Sequence, residues 1–226
     1  MLLQHCRRLV NLADEAESAT RDAPVGQLGH LRVGAVTSAF FDPLPVMLNQ
    51  FRTTHPRVEV VLRELDTHHA VRALTDHDID IALVRALATP PGIARRTLLE
   101  EEFVLALPAG WDHVPEGTVD LADVAREPWV WLPRHISSDY HDQVVACCRA
   151  AGFAPVVTNT ADSIVSQLAM VACDIGVAVV PASAAAHAPA DGRIRFARLS
   201  TTTTIQLAAL WLEQTTNPAV AEFATP

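Results

Sequence analysis

No apolar run in this 226-residue sequence approaches the roughly 20 residues that a helix needs to cross a bilayer. A signal peptide is missing as well: in MLLQHCRRLVNLADEAES the apolar residues are periodic and acidic residues follow at once. Leu3-Gln4-His5-Cys6 lacks the small residues that precede the cysteine of a lipoprotein cleavage site. Cysteine is scarce. Cys6, Cys147, Cys148 and Cys173 show no CxxC spacing and two are adjacent, so neither a disulfide framework nor a zinc site is encoded, and a reducing cytoplasm is the expected compartment. Clustered positive charge is absent too. The 17 Lys plus Arg against 26 Asp plus Glu leave a formal net charge of −9. Phosphate-backbone binding draws on clustered cations to release counterions, so this chain alone is not expected to hold DNA. Catalytic signatures are missing: there is no GxSxG elbow, no HExxH, no GxGxxG after a strand and no phosphate-cradling Gly-Lys-Ser/Thr. His68, His69, His77, His135 and His141 have no strong metal spacing and read as surface or helix-end residues. No enzymatic activity, cofactor or metal is expected.

What is present is an ordinary globular composition, 50% hydrophobic and 19% charged, long enough for one large domain or two small ones. Leu2, Cys6, Leu9, Ala13, Ala16 and Thr20 recur at alternating spacings of four and three, which predicts a helix over 1–23 with one narrow apolar stripe. That stripe fits packing on its own domain or pairing with a partner subunit. Asp22-Ala23-Pro24-Val25-Gly26 ends the helix, because proline disfavours helical geometry at the residue before it, and a separate module begins near Leu28.

From there strands and helices alternate. The pattern predicts strands Leu31–Val36, Val58–Leu65 and Ile79–Val84, separated by helices over about Pro43–His55 and Thr67–His77. Such alternation implies βαβ units and a parallel sheet with right-handed crossovers. Pro43 and Pro45 suit a first helical turn, where a missing N–H costs little. In such sheets ligands lie beyond the carboxyl ends of the strands. That rule selects Thr37 and Ser38 after the first strand, Asp66 and Thr67 after the second, and Arg85 after the third. Hydroxyls, helix-start N–H groups and a guanidinium at one rim suit a carboxylate ligand. The alternative is local: Ser38 and Thr67 as helix caps, with Arg85 paired to a nearby acid. Glu100-Glu101-Glu102, ahead of an apolar strand Phe103–Pro108, reads as a solvated strand start, since like charges in a row need water.

A second series follows: a short helix around Leu121–Ala125, strand Pro128–Leu132, loop Pro133–Ser138, helix Asp139–Ala151, strand Pro155–Thr160, helix Ser163–Ala172 and strand Gly176–Pro181. Cys147-Cys148 on the predicted helix reads as one core thiol and one neighbour. Strand Ile194–Leu199 and the apolar Ile205–Leu212 carry the chain back, and Asn217–Pro226 begins a last helix.

The leading helix, LRVGAVTSAFFDPLP with FRTTHPRVEVVLRELDT, then ALTDHDIDIALVR, LLEEEFVLALPAGW and DIGVAVVPAS, together resemble the successive signatures of the LysR-type transcriptional regulators, in their effector-binding region with the tail of the linker helix. The resemblance covers essentially the whole chain. It implies an α/β fold of two Rossmann-like subdomains joined by two crossover strands, of the type 2 periplasmic-binding-protein kind. Residues 1–27 are then the linker helix and connector, 28–105 plus 200–226 the first subdomain, and 106–199 the second. It further implies a small-molecule effector in the cleft between subdomains, with Arg134 and His135 of the loop and Ser163 at a helix start forming the wall opposite Thr37, Ser38, Asp66, Thr67 and Arg85. Glu64-Leu65-Asp66-Thr67 and Arg85 are similar to the members that sense aromatic-catabolism intermediates, in which the positions matching Ser38 and Thr67 contact the effector carboxylate. The stretch holding Arg134, His135 and Tyr140 departs from those members. Also implied are a homodimer or tetramer, with domains side by side and antiparallel, and DNA contact only through an N-terminal winged helix-turn-helix that this sequence does not contain. A solute-binding protein of a transport system is the alternative with the same fold.

Overall fold

The structure, a computed structural model, describes residues 29–188 and 191–224; the leading helix expected over 1–23 lies outside the described residues. In chain order the first half holds β1 (His30–Ala35), α1 (Leu44–Thr54), β2 (Glu59–Glu64), α2 (Thr67–Thr75), β3 (Ile81–Val84), β4 (Ile93–Pro108), β5 (Thr118–Val119) and β6 (Pro128–Trp131). The second half holds α3 (Ser138–Ala150), β7 (Val156–Thr160), α4 (Ile164–Ala172), β8 (Ala178–Pro181), α5 (Ala182–Ala186), β9 (Ile194–Leu199), β10 (Thr204–Leu212) and α6 (Pro218–Ala224). Short 3-10 turns occupy Thr37–Phe40 and Leu121–Val124. The described chain divides into two compact units: unit 1 holds 29–84, 88–98 and 208–224, and unit 2 holds 85–87 and 99–207. No helix among the described residues is long and apolar enough to cross a membrane.

Unit 1 is built on β1. It lies between β2 and β3 and is parallel to both, as the alternating strands and helices predict. The C-terminal β10 then adds antiparallel beside β3, pairing Ala208 with Val84 and Leu210 with Ala82, so the sheet is mixed. Leu31, Val33 and Ala35 are fully buried at the two-residue period of a strand, and all four residues of β3 are buried. At Gly34 a Cβ would meet Ile79 Cδ1 at 2.6 Å, so a hydrogen is what lets that side chain close over the strand. α1 turns Leu44, Met47 and Phe51 inward, and Phe51 meets Phe223 of α6 edge-on at 5.4 Å. The helix stops where His55 stacks on Phe51 ahead of Pro56. By contrast β2 is an edge strand with most residues exposed, charged at both ends by Glu59, Arg63 and Glu64.

Unit 2 centres on the second half of β4, flanked antiparallel by β8 and β9, with β5 parallel to β9. β6 and β7 form a separate parallel pair, and Trp129 bridges to Val177. Gly176 has no room for a Cβ against the Pro128 carbonyl, and Val177 N–H donates to that same oxygen at 2.9 Å. Trp129, Phe103, Leu105, Leu107 and Val180 are buried at the centre. On α3, Tyr140, Val144, Cys147 and Cys148 recur on one face. Both thiols are therefore in the core, where the sequence had suggested one, and burial pushes the Cys148 thiol up to about 12. Two further differences concern length. β4 runs for 16 residues through Glu100-Glu101-Glu102, which are thus inside a strand and not at its solvated start. β5 and α5, of two and five residues, are too short to show a period.

Candidate functional site

Unit 1 gathers four of the expected residues at the carboxyl ends of its parallel strands. After β1, Val36 N–H donates to Leu83 O at 3.0 Å, and the chain closes into the single turn Thr37–Phe40. Ser38 is buried within that turn, whereas the Thr37 hydroxyl reaches across to Glu64 Oε1 at 2.6 Å. After β2, Leu65 N–H donates to Ala35 O at 2.9 Å, which holds the two strand ends side by side. Asp66 caps α2: Oδ1 accepts from His69 N–H at 2.8 Å and Oδ2 lies 2.6 Å from His69 Nδ1. With the cap made by Asp66, the hydroxyl of Thr67 is left over. Thr67 is 9% exposed, and its Oγ1 is buried with no hydrogen-bond partner among the described residues. The first N–H groups of a helix also lack intrahelical acceptors. A buried hydroxyl beside such donors, at a helix start, suits an anionic oxygen.

The remaining expected residues belong to unit 2. The Arg85 side chain is 4% exposed, and NH2 lies 2.6 Å from Glu101 Oε1. Glu101 also receives Ser183 N–H at 2.5 Å on Oε2 and the Ser183 hydroxyl at 3.0 Å on Oε1, so one carboxylate anchors a guanidinium and the start of α5 together. The loop after β6 and the first turn of α3 grip the same segment: the Ser137 hydroxyl donates to Arg85 O at 3.3 Å, and Asp139 Oδ2 accepts Leu87 N–H at 2.6 Å. The Tyr140 hydroxyl is held above its ordinary range by burial and donates to Val179 O at 2.5 Å. Arg134 points to solvent and forks onto Asp142 through Nε at 3.0 Å and NH2 at 2.9 Å. Asp142 is held down at about 2 by hydrogen bonds from Arg134 and His141. His135 is exposed in the loop. Ser163 caps α4 in a reciprocal box: its hydroxyl accepts Ser166 N–H at 3.1 Å, and its own N–H donates to Ser166 Oγ at 3.0 Å.

Two residues of consequence were not singled out from sequence. Glu101 is the middle of three acids in a run, and strand alternation is its signal, setting it on the opposite face from Glu100 and Glu102. Gln167, the one amide in the apolar helix IVSQLAMVA, is fully buried. Among the described residues no group of three or more His, Cys, Asp or Glu side chains could hold a metal.

The chain is similar to known proteins in sequence and in fold. The sequence matches the family described as LysR substrate binding domain over residues 25–225. It is 26% identical over 182 residues to the uncharacterised HTH-type transcriptional regulator YnfL of Escherichia coli K12, covering 80% of this chain and 61% of that protein. It is 30% identical over 177 residues to the HTH-type transcriptional regulator CatR of Pseudomonas putida, covering 78% and 59%. The chain thus spans about three fifths of the length of these relatives. Among solved structures, CbnR, a LysR family transcriptional regulator, aligns with a TM-score of 0.80 at 25% identity, over 98% of this chain and 76% of that one. The effector binding domain of BenM with its effector benzoate aligns with a TM-score of 0.72 at 22% identity, over 86% and 88%.

Proposed function

The chain belongs to the LysR substrate binding domain family, and on that premise we propose that it is the sensing part of a cytoplasmic transcriptional regulator whose effector is a small carboxylate. The observation that carries this reading is the Thr67 hydroxyl, buried without a partner at the start of α2. Ser38 lies buried at the end of the neighbouring strand, so two hydroxyls and the N–H groups of two turns serve one rim of unit 1. Three or more donors of this kind match the lone pairs of a carboxylate and leave none of its charge unsolvated. Benzoate, the effector of the BenM domain, is a compound of this class, and an aromatic acid or a dicarboxylate derived from one is the expected ligand here. The relatives compared are transcriptional regulators, which favours this role over a solute carrier.

On this reading the DNA contact of the whole regulator belongs to a helix-turn-helix of the kind the relatives' names carry. The effector acts by population shift. It can move an equilibrium only as far as it binds one arrangement better than another, typically by about 1–3 kcal/mol. Calorimetry of this chain against benzoates, muconates and short dicarboxylates tests the reading. At least one acid binds, and Ser38→Ala weakens it by about 0.5–1.5 kcal/mol, the worth of one hydrogen bond. Binding confined to neutral or cationic compounds overturns it.

A further inference from the structure

A second orphaned polar group lies in unit 2, and it asks for something other than a carboxylate. Gln167 sits one turn into α4 and is 2% exposed. Its Nε2 donates to Val130 O at 3.1 Å, near the carboxyl end of β6. That bond fixes the amide, because turning it over would set Oε1 against the same carbonyl. Oε1 is therefore a true acceptor, and it is buried with no hydrogen-bond partner among the described residues.

The surroundings are built for this placement. The ladder between β6 and β7 slips at this point: Trp129 pairs with Val157 while Val130 pairs with Asn159, leaving Thr158 as an extra residue. Irregular ladders of this kind recur beside sites, where they re-aim groups. Helical side chains lean toward the N-terminus, so the carboxamide of Gln167 lies beneath the first turn of α4. In that turn the Ser163–Ser166 box accounts for the N–H groups of Ser163 and Ser166, whereas those of Ile164 and Val165 have no intrahelical acceptor by position. One place therefore combines an acceptor that needs a proton with donors that need a lone pair. A carboxylate has no proton to give Oε1, and an ammonium has no lone pair for the amides. A hydroxyl has both.

We propose that Gln167 is a specificity-determining residue that selects an effector bearing a hydroxyl group, received between Oε1 and the start of α4. The proposal concerns unit 2 alone and stands apart from the carboxylate reading of unit 1. Calorimetry on the full chain compares benzoate, its 2-, 3- and 4-hydroxy derivatives, and phenol, in wild type and in Gln167→Met, whose melting curve reports folding. The expected result is a hydroxybenzoate that binds about tenfold more tightly than benzoate, since an unmet buried acceptor gains its donor. Gln167→Met abolishes that preference. A Gln167→Met variant that melts early is replaced by Gln167→Leu, and the ratio of the two affinities is read within each variant. If benzoates bind with no hydroxyl preference, or the preference survives both substitutions, a resident water fills the place and the proposal falls while the carboxylate reading stands. If phenol binds in a Gln167-dependent way and no acid binds, the carboxylate reading falls and the hydroxyl site stands.

Discussion

The hydroxyl of Thr67 carries an unusual thermodynamic burden, because no described residue gives it a hydrogen-bond partner. Desolvating such a group without a partner costs on the order of 1–3 kcal/mol, and replacing it with an apolar isostere removes that cost. Thr67→Val should therefore raise the melting temperature of the unliganded chain while weakening the acid that binds it. A residue that served only as packing or as a cap would move both quantities in the same direction, and the cap is already supplied by Asp66. Differential scanning calorimetry with and without a bound benzoate separates the two outcomes. At this scale the sequence was informative where position alone decides the chemistry. Ser38 and Thr67 stand out because each follows a strand of a parallel sheet, at the rim where ligands lie and where caps are also common. Thr37 follows from the same rule and Arg134 from the resemblance alone, and their side chains meet Glu64 and Asp142, partners that no local pattern announces.

Among the elements, β4 shows why a strand's length matters more than its composition. Its 16 residues carry Glu101 into unit 2's interior, where it holds Arg85 and the first turn of α5. Breaking a buried pair on one side strands a charge, which costs about 3–5 kcal/mol, whereas replacing both partners with apolar residues is often neutral. Glu101→Leu should thus lower the urea midpoint severely, and Arg85→Met combined with Glu101→Leu should recover most of the loss. Equal damage from the single and double variants would assign the cost to the Ser183 contacts instead. The order of strands and helices was legible because their periods of two and 3.6 residues persist over whole elements. Arg85 was legible as a cation at a strand end, but its partner lies sixteen positions away in sequence (|i−j| = 16) on a strand that appeared to start later. Gln167 was invisible for a related reason: an amide in an apolar helix reveals its value only when its neighbours are known.

For the whole molecule, two strands with an open side bear on whether copies pair. Val61 and Leu62 on β2, and Val156 and Val157 on β7, are large apolar residues left 40–57% exposed on strands with an open side. Open edges of this kind invite pairing with another chain. Sedimentation should find an oligomer, and Leu62→Lys with Val157→Lys should return it to monomer; a wild-type chain that sediments only as monomer refutes the expectation. The order in which the chain composes its units has a consequence during synthesis. Unit 2 is contiguous over 99–207 apart from three earlier residues, so all of it has left the ribosome before β10 is complete. Unit 1 must wait. β3 lacks its second neighbour until Ala208–Leu210 arrive, Phe51 lacks the edge-on ring of Phe223, the His30 carbonyl awaits the Asn217 amide, and Arg96 awaits Ala224 O. A nascent chain therefore holds one edge of β3 and the apolar face of α1 open until residues 208–224 have emerged, and in that interval unit 1, with Ser38 and Thr67, is the portion open to chaperones and proteases.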